Sequence, residues 1–381
     1  MKKILLPLAI VSALLVSCES EKKESAISVY PTELTFGAEG GSDTVIVTSS
    51  DSWHPVECPD WCSLHYGDEK LIIGASYNLD TESSRTGKVV IYCGDKTAEV
   101  TIIQEKDEII EFKDEAFLQA LLSNDYVDNN DDEKISKAEA YSYVGSISVS
   151  YSIYCTFPEI RGMDEIKYFV NLTGLYCDNN QLTTLDVSKN TALTDLRCYD
   201  NQLTSLDVRN NTALTSLYCG YNQLTSLDVR NNTALTDLYC YNNQLTSLDV
   251  RNNTALTDLD CDGNQLTSLD VRNNTALTDL YCDNNQLTSL DVRNNTALTV
   301  LNCSNNQLTT LDLRDNTALT ALWCDGNQLT SLDLRNNTAL TNLTCSGNPL
   351  TKIILSRYHE IDELYISMII NEYGDIIEYV D

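Results

Sequence analysis

The stretch LTSLDVRNNTALTSLYCGYNQ, residues 203–223, recurs with few changes along the chain and decides how the chain folds. Its cysteine marks the period, because a cysteine returns every 21 residues in nine successive copies. These cysteines are Cys177, Cys198, Cys219, Cys240, Cys261, Cys282, Cys303, Cys324 and Cys345. A short fixed period predicts a solenoid over residues 172–350, in which each repeat is one coil stacked on its neighbours.

Each repeat divides into two similar halves. LTDLRCYDN, residues 193–201, represents the half with the cysteine (the Cys half), and LTSLDVRNN, residues 203–211, represents the other (the Val half). Both follow L-x-x-L-x-(L/C/V)-x-x-N, a pattern that resembles the leucine-rich repeat. Alternation in this pattern predicts a short strand in each half, paired in parallel with the next coil. Asn201 and its equivalents are expected to bond the backbone of adjacent coils.

The nine cysteines stand where the repeat needs an apolar residue. We therefore predict that they are buried and act as small hydrophobic side chains. The alternative is a row of thiolates for metal binding or redox chemistry, which would require accessible sulfur atoms.

Positions that point outward separate scaffold from candidate function. In the Val half they barely change, because Asp207 and Arg209 return in most repeats. We predict that these charges form a structural salt-bridge lattice across stacked coils. In the Cys half they vary, which predicts a partner-binding strip of aromatic rings and carboxylates. Neutral drift with tyrosine favoured on strands is the alternative. The predicted partner-binding residues are Tyr176, Tyr218, Tyr239, Tyr281, Trp323, Asp237, Asp258 and Asp279.

Composition limits the classes of function. The chain has 381 residues, and 56 acidic against 25 basic residues give a net charge of −31. This balance argues against nucleic acid, whose phosphates need a basic face, and favours cations or cationic partners. Three histidines leave few candidates for histidine-based catalysis, and neither a catalytic triad nor a phosphate-binding loop is visible. We predict that the protein is not an enzyme.

The first 17 residues predict a secretory signal, with Lys2 and Lys3 before an apolar run over residues 4–16. The sequence LVSC at 15–18 resembles the lipobox of bacterial lipoproteins, which implies lipidation of Cys18; ordinary cleavage nearby is the alternative. Residues 18–25 predict a tether similar to the export tag of Bacteroidetes surface lipoproteins. We expect a monomer at the outer membrane or cell surface, with the lipid as its only membrane contact.

Residues 26–105 contain short β-rich runs separated by turn residues, which predicts an immunoglobulin-like β-sandwich. The predicted strands are 28–31, 44–48, 71–73, 88–92 and 99–104. Trp53, Trp61, Asn78, RTGK at 85–88 and TIIQ at 101–104 resemble the BACON family. The resemblance implies a domain of glycan-handling surface proteins, in which many members act as spacers. Core packing is the other role open to the two tryptophans.

Four residues of the sandwich have side chains of the kind that bind metals, namely His54, Cys58, Cys62 and His65. A zinc site and a Cys58–Cys62 disulfide are both open. The redox states of Cys93 and Cys155 are open as well.

Residues 106–171 predict a helical cap. Asp114 can cap a helix whose apolar face holds Phe117 and Leu121. Residues 128–139 resemble an EF-hand loop, which implies bound calcium. The implied ligands are Asp128, Asn130, Asp132, the Lys134 carbonyl, Ser136 and Glu139. Glu133 stands where the family has glycine, and the alternative is a structural helix-loop-helix that seals the solenoid. Residues 351–381 predict a C-terminal cap.

The predicted fold is therefore mostly β: a β-sandwich, a small helical cap and a leucine-rich-repeat solenoid with a 21-residue period. The first functional hypothesis is a lipid-anchored surface protein whose solenoid binds a protein or a glycan. The second is a glycan-binding accessory protein of a polysaccharide-uptake system that uses the BACON-like domain.

Overall fold

The computed structural model describes residues 24–123, 127–152 and 158–381. Contacts divide the chain into two units, Met1–Ser76 with Ser84–Glu105, and Tyr77–Ser83 with Lys106–Asp381. The predicted signal peptide, the predicted lipidation site Cys18 and also Cys155 lie outside the described residues. In the part of the chain that is described, no helix combines the length and the apolar composition that crossing a bilayer requires.

The first unit is a sandwich of two four-stranded sheets. Its strands are β1 (Ile27–Tyr30), β2 (Glu33–Phe36), β3 (Gly41–Ser49), β4 (Trp53–Glu57), β5 (Cys62–Tyr66), β6 (Lys70–Ala75), β7 (Arg85–Cys93) and β8 (Lys96–Gln104). The sheet orders are β1-β3-β6-β5 and β2-β8-β7-β4. Alternate residues such as Val45 and Val47 point into the core, as period-two patterning predicts. Sequence reasoning missed β2, β4 and β5, which lie at sheet edges and are short; β4 also contains Pro55.

The second unit begins with two short helices, α1 (Glu115–Leu122) and α2 (Lys137–Ser142). Asp114 caps α1, because its carboxylate accepts the N–H groups of Ala116 at 2.9 Å and Phe117 at 3.3 Å. The predicted helix is thus present, and Phe117 and Leu121 are fully buried.

A parallel sheet of ten strands runs along the solenoid, one strand from each Cys half after an initial strand in the cap. The strands are β9 (Gly145–Ser148), β10 (Leu172–Tyr176), β11 (Asp195–Arg197), β12 (Ser216–Tyr218), β13 (Asp237–Tyr239), β14 (Asp258–Asp260), β15 (Asp279–Tyr281), β16 (Val300–Asn302), β17 (Ala321–Trp323) and β19 (Asn342–Thr344). A second, three-stranded sheet holds β18 (Ser331–Asp333), β20 (Lys352–Ser356) and β21 (Ile377–Val380). Helix α3 (Glu363–Tyr373) lies between the last two strands in the chain.

One continuous core fills the solenoid, built from the repeated Leu, Cys and Val side chains. All nine cysteines of the ladder are buried as free thiols, which confirms that the period places them in the core. Burial raises the pKa of each of these thiols, for example to about 12 at Cys303. The mostly β fold, with a sandwich, small helices and a leucine-rich-repeat solenoid of 21-residue period, is confirmed.

The prediction of a strand in both halves is wrong for most repeats, because the Val half forms a strand only at Ser331–Asp333. In the other repeats the chain turns at this point, with a hydrogen bond inside the coil. The Val208 carbonyl accepts the Asn211 N–H at 3.0 Å and the side-chain amide of Asn232 at 2.9 Å. Side-chain amides therefore connect the Val halves of successive coils, whereas the Cys halves are connected by side-chain amides and by a strand ladder.

Asparagine ladders satisfy the backbone inside the coils, as predicted for Asn201. Its amide nitrogen donates to the carbonyls of Cys177 at 3.0 Å and Cys198 at 3.2 Å, and its oxygen accepts the Leu182 N–H at 2.9 Å. One side chain thus joins two coils, which offsets the desolvation of buried polar groups.

The predicted salt-bridge lattice is wrong. Asp207 pairs with Arg209 of its own repeat, at 2.7 Å between Oδ2 and Nη2, and also accepts the Arg209 N–H. The same pairing returns in the following repeats. These pairs are exposed and close a tight turn within one coil, because this segment turns instead of running as a strand.

Candidate binding surface

The outward side chains of the solenoid strands form one face, which we call the strand face. Neighbouring strands pair in exact-period register, so residues 21 apart stand side by side. The column before each central leucine holds Gly174, Asp195, Ser216, Asp237, Asp258, Asp279, Val300, Ala321 and Asn342. The column after it holds Tyr176, Arg197, Tyr218, Tyr239, Asp260, Tyr281, Asn302, Trp323 and Thr344. All eight predicted partner-binding residues lie on this face.

A stack of four side chains occupies its N-terminal part. The Arg197 guanidinium lies 4.9 Å from the ring centroid of Tyr176 and 4.8 Å from that of Tyr218. Tyr218 and Tyr239 then stack with their ring planes 5° apart. Asp195 holds Arg197 in place through an ion pair at 3.3 Å. The stack offers a firm, flat surface of the kind that anchors protein partners.

Carboxylates dominate the middle of the strand face. Asp237, Asp258 and Asp279 stand in successive strands of the same column. Hydroxyl groups of the chain hold two of them: Thr236 donates to Asp237 at 2.6 Å, and a neighbouring threonine donates to Asp279 at 2.7 Å. Burial is the main cause that raises the pKa of Asp258, and the two neighbouring aspartates add to it. Like charges at this spacing repel, so a cation placed among them would be stabilised.

A third column follows the cysteines, and it extends the acidic part. Burial raises the pKa of Asp260 and of its neighbour Asp262, whose carboxyl groups hydrogen-bond each other. The pKa of Asp283 rises to about 6, because the group is buried and lies near Asp262. The Asn302 amide donates to Asp283 at 2.8 Å. Within the described residues, none of these three carboxylates takes part in an ion pair.

Sequence reasoning did not select Arg197, Asp260, Asp262 or Asp283 as site residues. Arg197 and Asp260 each occur once in their column, whereas Asp262 and Asp283 belong to a column with four aspartates. Their grouping becomes visible only beside the residues of the neighbouring strands. The signal that could have found them is the period itself, because residues 21 apart are adjacent in a parallel solenoid.

The loop before α2 adopts the turn that an EF-hand register requires at its sixth position. Glu133 has a φ of 60°, in the left-handed region where that family has glycine. The Asp128 carboxylate accepts the Glu133 N–H at 2.9 Å, and the Asp132 carboxylate accepts the Lys134 N–H at 3.0 Å. The Asn130 oxygen accepts the Asp132 N–H at 3.0 Å.

Glu139, the twelfth position of the loop, is buried and bonded within the chain. Its two oxygens accept the N–H groups of Asn129 at 3.0 Å and Ser136 at 2.9 Å, and the Ser136 hydroxyl oxygen in turn accepts the Glu139 N–H. This arrangement is a capping box for α2. Across the residues that the structure covers, no group of three or more His, Cys, Asp or Glu side chains is arranged to hold a metal ion. That statement includes the predicted loop and the cluster from His54 to His65.

The two tryptophans of the sandwich pack against its core. The Arg85 guanidinium lies 4.5 Å from the Trp61 ring centroid, and the Trp53 and Tyr66 rings lie 5.6 Å apart. Tyr66 is 56% exposed, so its ring extends the half-buried Trp53 toward solvent.

Comparison with protein families finds two matches. Residues 212–253 match the family of leucine-rich repeats in two copies, and residues 52–105 match the BACON family, described as an N-terminal binding domain. The family matches thus agree with both resemblances noted in the sequence. The two matches indicate a protein-interaction or binding role, and neither family describes an enzyme. No curated protein matches the sequence.

Solved structures with the same fold include internalins. The functional domain of InlJ from Listeria monocytogenes, which includes a cysteine ladder, is 42% identical, with a TM-score of 0.54. The match covers 59% of this chain and 51% of that domain, so this chain spans about half the length of the InlJ domain. The internalin InlF from Listeria monocytogenes is 22% identical, over 66% of this chain and 94% of that one, with a TM-score of 0.40. YopM from Yersinia pestis is 24% identical, over 57% and 60%, with a TM-score of 0.43.

Proposed function

We propose that this protein is a non-enzymatic, monomeric surface protein that binds a protein partner through the strand face of its solenoid. The observation that carries the proposal is the difference between the two halves of each repeat. The Val half repeats one closed Asp–Arg pair per coil, as at Asp228 and Arg230, whereas the strand face carries different side chains in successive coils. Variation on an otherwise uniform scaffold supports a recognition role for the varied face.

The chemistry of the strand face favours a partner with a basic segment. Among the described residues, the strand-face carboxylates Asp258, Asp260 and Asp283 have no ion pair, and burial together with mutual repulsion raises the pKa of each. Lysine or arginine side chains of a partner would relieve this repulsion, while its apolar groups would pack on the Tyr218–Tyr239 stack. The net charge of −31 would steer such a partner toward the protein.

The test is a binding comparison between the wild-type chain and a variant with Tyr239, Tyr281 and Trp323 changed to alanine. Proteins that the wild type captures from a cell extract are identified, purified and measured again by calorimetry. We expect the variant to lose at least tenfold in affinity while its circular dichroism stays unchanged. The matched control changes Asp228 and Arg230 to alanine and should bind like the wild type; equal affinity of all three proteins would remove the strand face from consideration.

We also propose that Cys18 carries a lipid and anchors the chain at the outer membrane or cell surface. The support is the lipobox-like sequence LVSC at 15–18, followed by a charged tether. Mass spectrometry of the membrane-extracted protein should find acyl chains on Cys18 as the first residue. The Cys18→Ala variant should be found in the soluble fraction. An unmodified Cys18 in the wild-type protein would contradict the proposal.

A second candidate function is glycan binding by the sandwich, which would suit an accessory protein of a polysaccharide-uptake system. The supporting observation is the Trp53–Tyr66 pair, because an exposed ring backed by a second ring can stack on a sugar. A glycan array probed with the full chain and with Tyr66→Ala tests it. A signal that the variant loses supports this function, whereas no signal from the wild type removes it.

A further inference from the structure

The connection between β4 and β5 links the two sheets of the sandwich at one open edge. β4 is the edge strand of one sheet and β5 is the edge strand of the other. Between them the Cys62 N–H donates to the Pro59 carbonyl at 3.0 Å, which closes a tight turn. Cys58 precedes this turn and Cys62 ends it, so the turn brings two cysteines together.

The Cys58 sulfur lies against the backbone of the turn, beside Cys62. The Cys58 Sγ lies 3.4 Å from the Pro59 carbonyl oxygen and 3.7 Å from that of Cys62. The Cys58 thiol thus contacts the backbone of Cys62 itself. Both are free, Cys58 is exposed and Cys62 is half-buried.

Packing holds the turn in this shape. A Cβ atom placed on Gly87 of β7 would approach Pro59 Cγ to 2.3 Å and the Trp61 ring to 3.2 Å, so both turn residues lie directly on that strand. Trp61 is also covered by the Arg85 guanidinium. The backbone of the turn between the two cysteines is therefore held by its neighbours, Gly87 and Arg85.

We propose that Cys58 and Cys62 form a redox-sensitive disulfide that clamps the crossover between the two sheets of the sandwich. The bond closes a ring around Pro59 and Trp61 and so restrains the turn that carries this tryptophan. Its formation rests only on the two thiols and a suitable oxidant, and it is independent of the partner proposed for the solenoid.

The oxidant is a disulfide of low molecular weight, such as oxidised glutathione. The Cys58 thiol loses its proton to solvent, and its sulfur attacks one sulfur of the oxidant; the old S–S bond breaks and one thiolate leaves. Cys62 then loses its proton and attacks the Cys58 sulfur, which expels the second thiolate. Both leaving thiolates take up protons, so two protein thiols are oxidised and one disulfide is reduced to two thiols.

Exposure makes Cys58 the group that attacks first. Burial raises the pKa of Cys58, and burial together with the nearby Cys58 raises that of Cys62 to about 12. Exchange should therefore accelerate about tenfold for each unit of pH near neutrality, because the thiolate fraction grows at that rate. Cys93 and the nine ladder cysteines are buried and cannot compete.

The experiment incubates the full chain with oxidised glutathione, then alkylates free thiols, digests with trypsin and measures peptide masses. Trypsin cuts after lysine and arginine, so the peptide 24–70 contains Cys58 and Cys62 and no other cysteine. We expect this peptide to escape alkylation and to lose about 2 Da, with a rate that follows pH. Dithiothreitol should restore two alkylation sites.

Cys58→Ser and Cys62→Ser are the matched controls, and each should leave one alkylated thiol or one glutathione adduct. The proposal is overturned if the wild-type peptide carries two alkyl groups after oxidation, or if a stable glutathione adduct remains on Cys58 while Cys62 is alkylated.

Discussion

The rings of Tyr218 and Tyr239 lie parallel, with centroids 4.6 Å apart and planes inclined by 5°. The two residues are direct partners in the neighbouring strands β12 and β13. The stacking of the coils therefore sets their contact, because it aligns outward side chains that are 21 residues apart.

We expect these two rings to stabilise each other as well as the surface they form. A double-mutant cycle of Tyr218→Ala and Tyr239→Ala should give a coupling energy of about 1 kcal/mol in urea unfolding. The matched control pairs Tyr218 with Tyr281, which lies three coils away and should be additive. Additivity in the Tyr218–Tyr239 cycle would show that the stack adds nothing beyond each ring alone.

The acidic part of the strand face should make stability depend on pH. Burial raises the pKa of Asp260 in the folded state, so the folded protein holds this proton more tightly than the unfolded chain does. The stabilisation is therefore complete below the unfolded pKa and is lost as pH rises through the folded value. Asp260→Asn should be more stable than the wild type at pH 8, by about 2 kcal/mol, and much closer to it at pH 5.

Asp207→Asn is the control for this measurement. Hydrogen bonds from Arg209 lower the pKa of Asp207 to about 2, so its contribution is present above the unfolded pKa and is lost only in acid. Its effect on urea unfolding should stay constant between pH 5 and pH 8. A constant effect of Asp260→Asn over the same interval would contradict the assignment of the raised pKa.

The cysteine ladder was predictable because one rule, the 21-residue period, places every copy at the same depth. The Val half was not, because the same alternating pattern forms a strand in the Cys half but a turn in the Val half, where the Val208 carbonyl accepts the Asn211 N–H. The carboxyl pair of Asp260 and Asp262 was missed for another reason: Asp260 departs from its column while Asp262 repeats a residue common in its own, and one repeat by itself does not show that the two groups face the same acidic surface. Periodicity thus predicts the scaffold and the position of the strand face, but it does not single out which outward residues bind a partner.

Burial of the ladder predicts a specific penalty for a hydroxyl in place of sulfur. Cys219 is fully buried, so Cys219→Ser should destabilise the solenoid by about 2 kcal/mol in urea unfolding. Cys324 is equally buried, but its sulfur lies 3.4 Å from the Thr344 carbonyl oxygen, which a serine hydroxyl could use. Cys324→Ser should therefore cost less. The explanation fails if both serine variants match the corresponding alanine variants.

The two asparagine ladders should differ in strength. Asn243 uses both ends of its amide, because its oxygen accepts the Leu224 N–H at 2.9 Å and its nitrogen donates to the Cys219 carbonyl at 3.0 Å. Asn253 donates to the Val229 carbonyl at 2.9 Å, but among the described residues its buried oxygen has no hydrogen-bond partner. Asn243→Ala should cost about 3 kcal/mol and Asn253→Ala about 1 kcal/mol less, measured by urea unfolding. Equal losses would show that the free oxygen does not weaken its ladder.

Calcium binding by the loop at residues 128–139 stays a prediction, and the structure indicates what affinity to expect. Glu133 already has the left-handed backbone that the sixth position needs. Glu139, however, must exchange its bonds with Asn129 and Ser136 for bonds to the ion. Because this exchange opposes binding, we expect weak affinity, with a Kd of about 10⁻⁴ to 10⁻³ M by isothermal titration.

Two substitutions separate calcium binding from the structural role of the loop. Asp128→Asn removes a carboxylate charge but keeps an oxygen that can accept the Glu133 N–H, so it should abolish the heat of calcium binding with little loss of stability without calcium. Glu139→Ala removes the capping box and should lower stability by about 1 kcal/mol or more with or without calcium. If wild type and Asp128→Asn show the same heat and the same melting temperature with calcium, the loop serves only as a cap. In that case Glu139 would serve only to cap α2, through the hydrogen bonds that its carboxylate accepts from the N–H groups of Asn129 and Ser136.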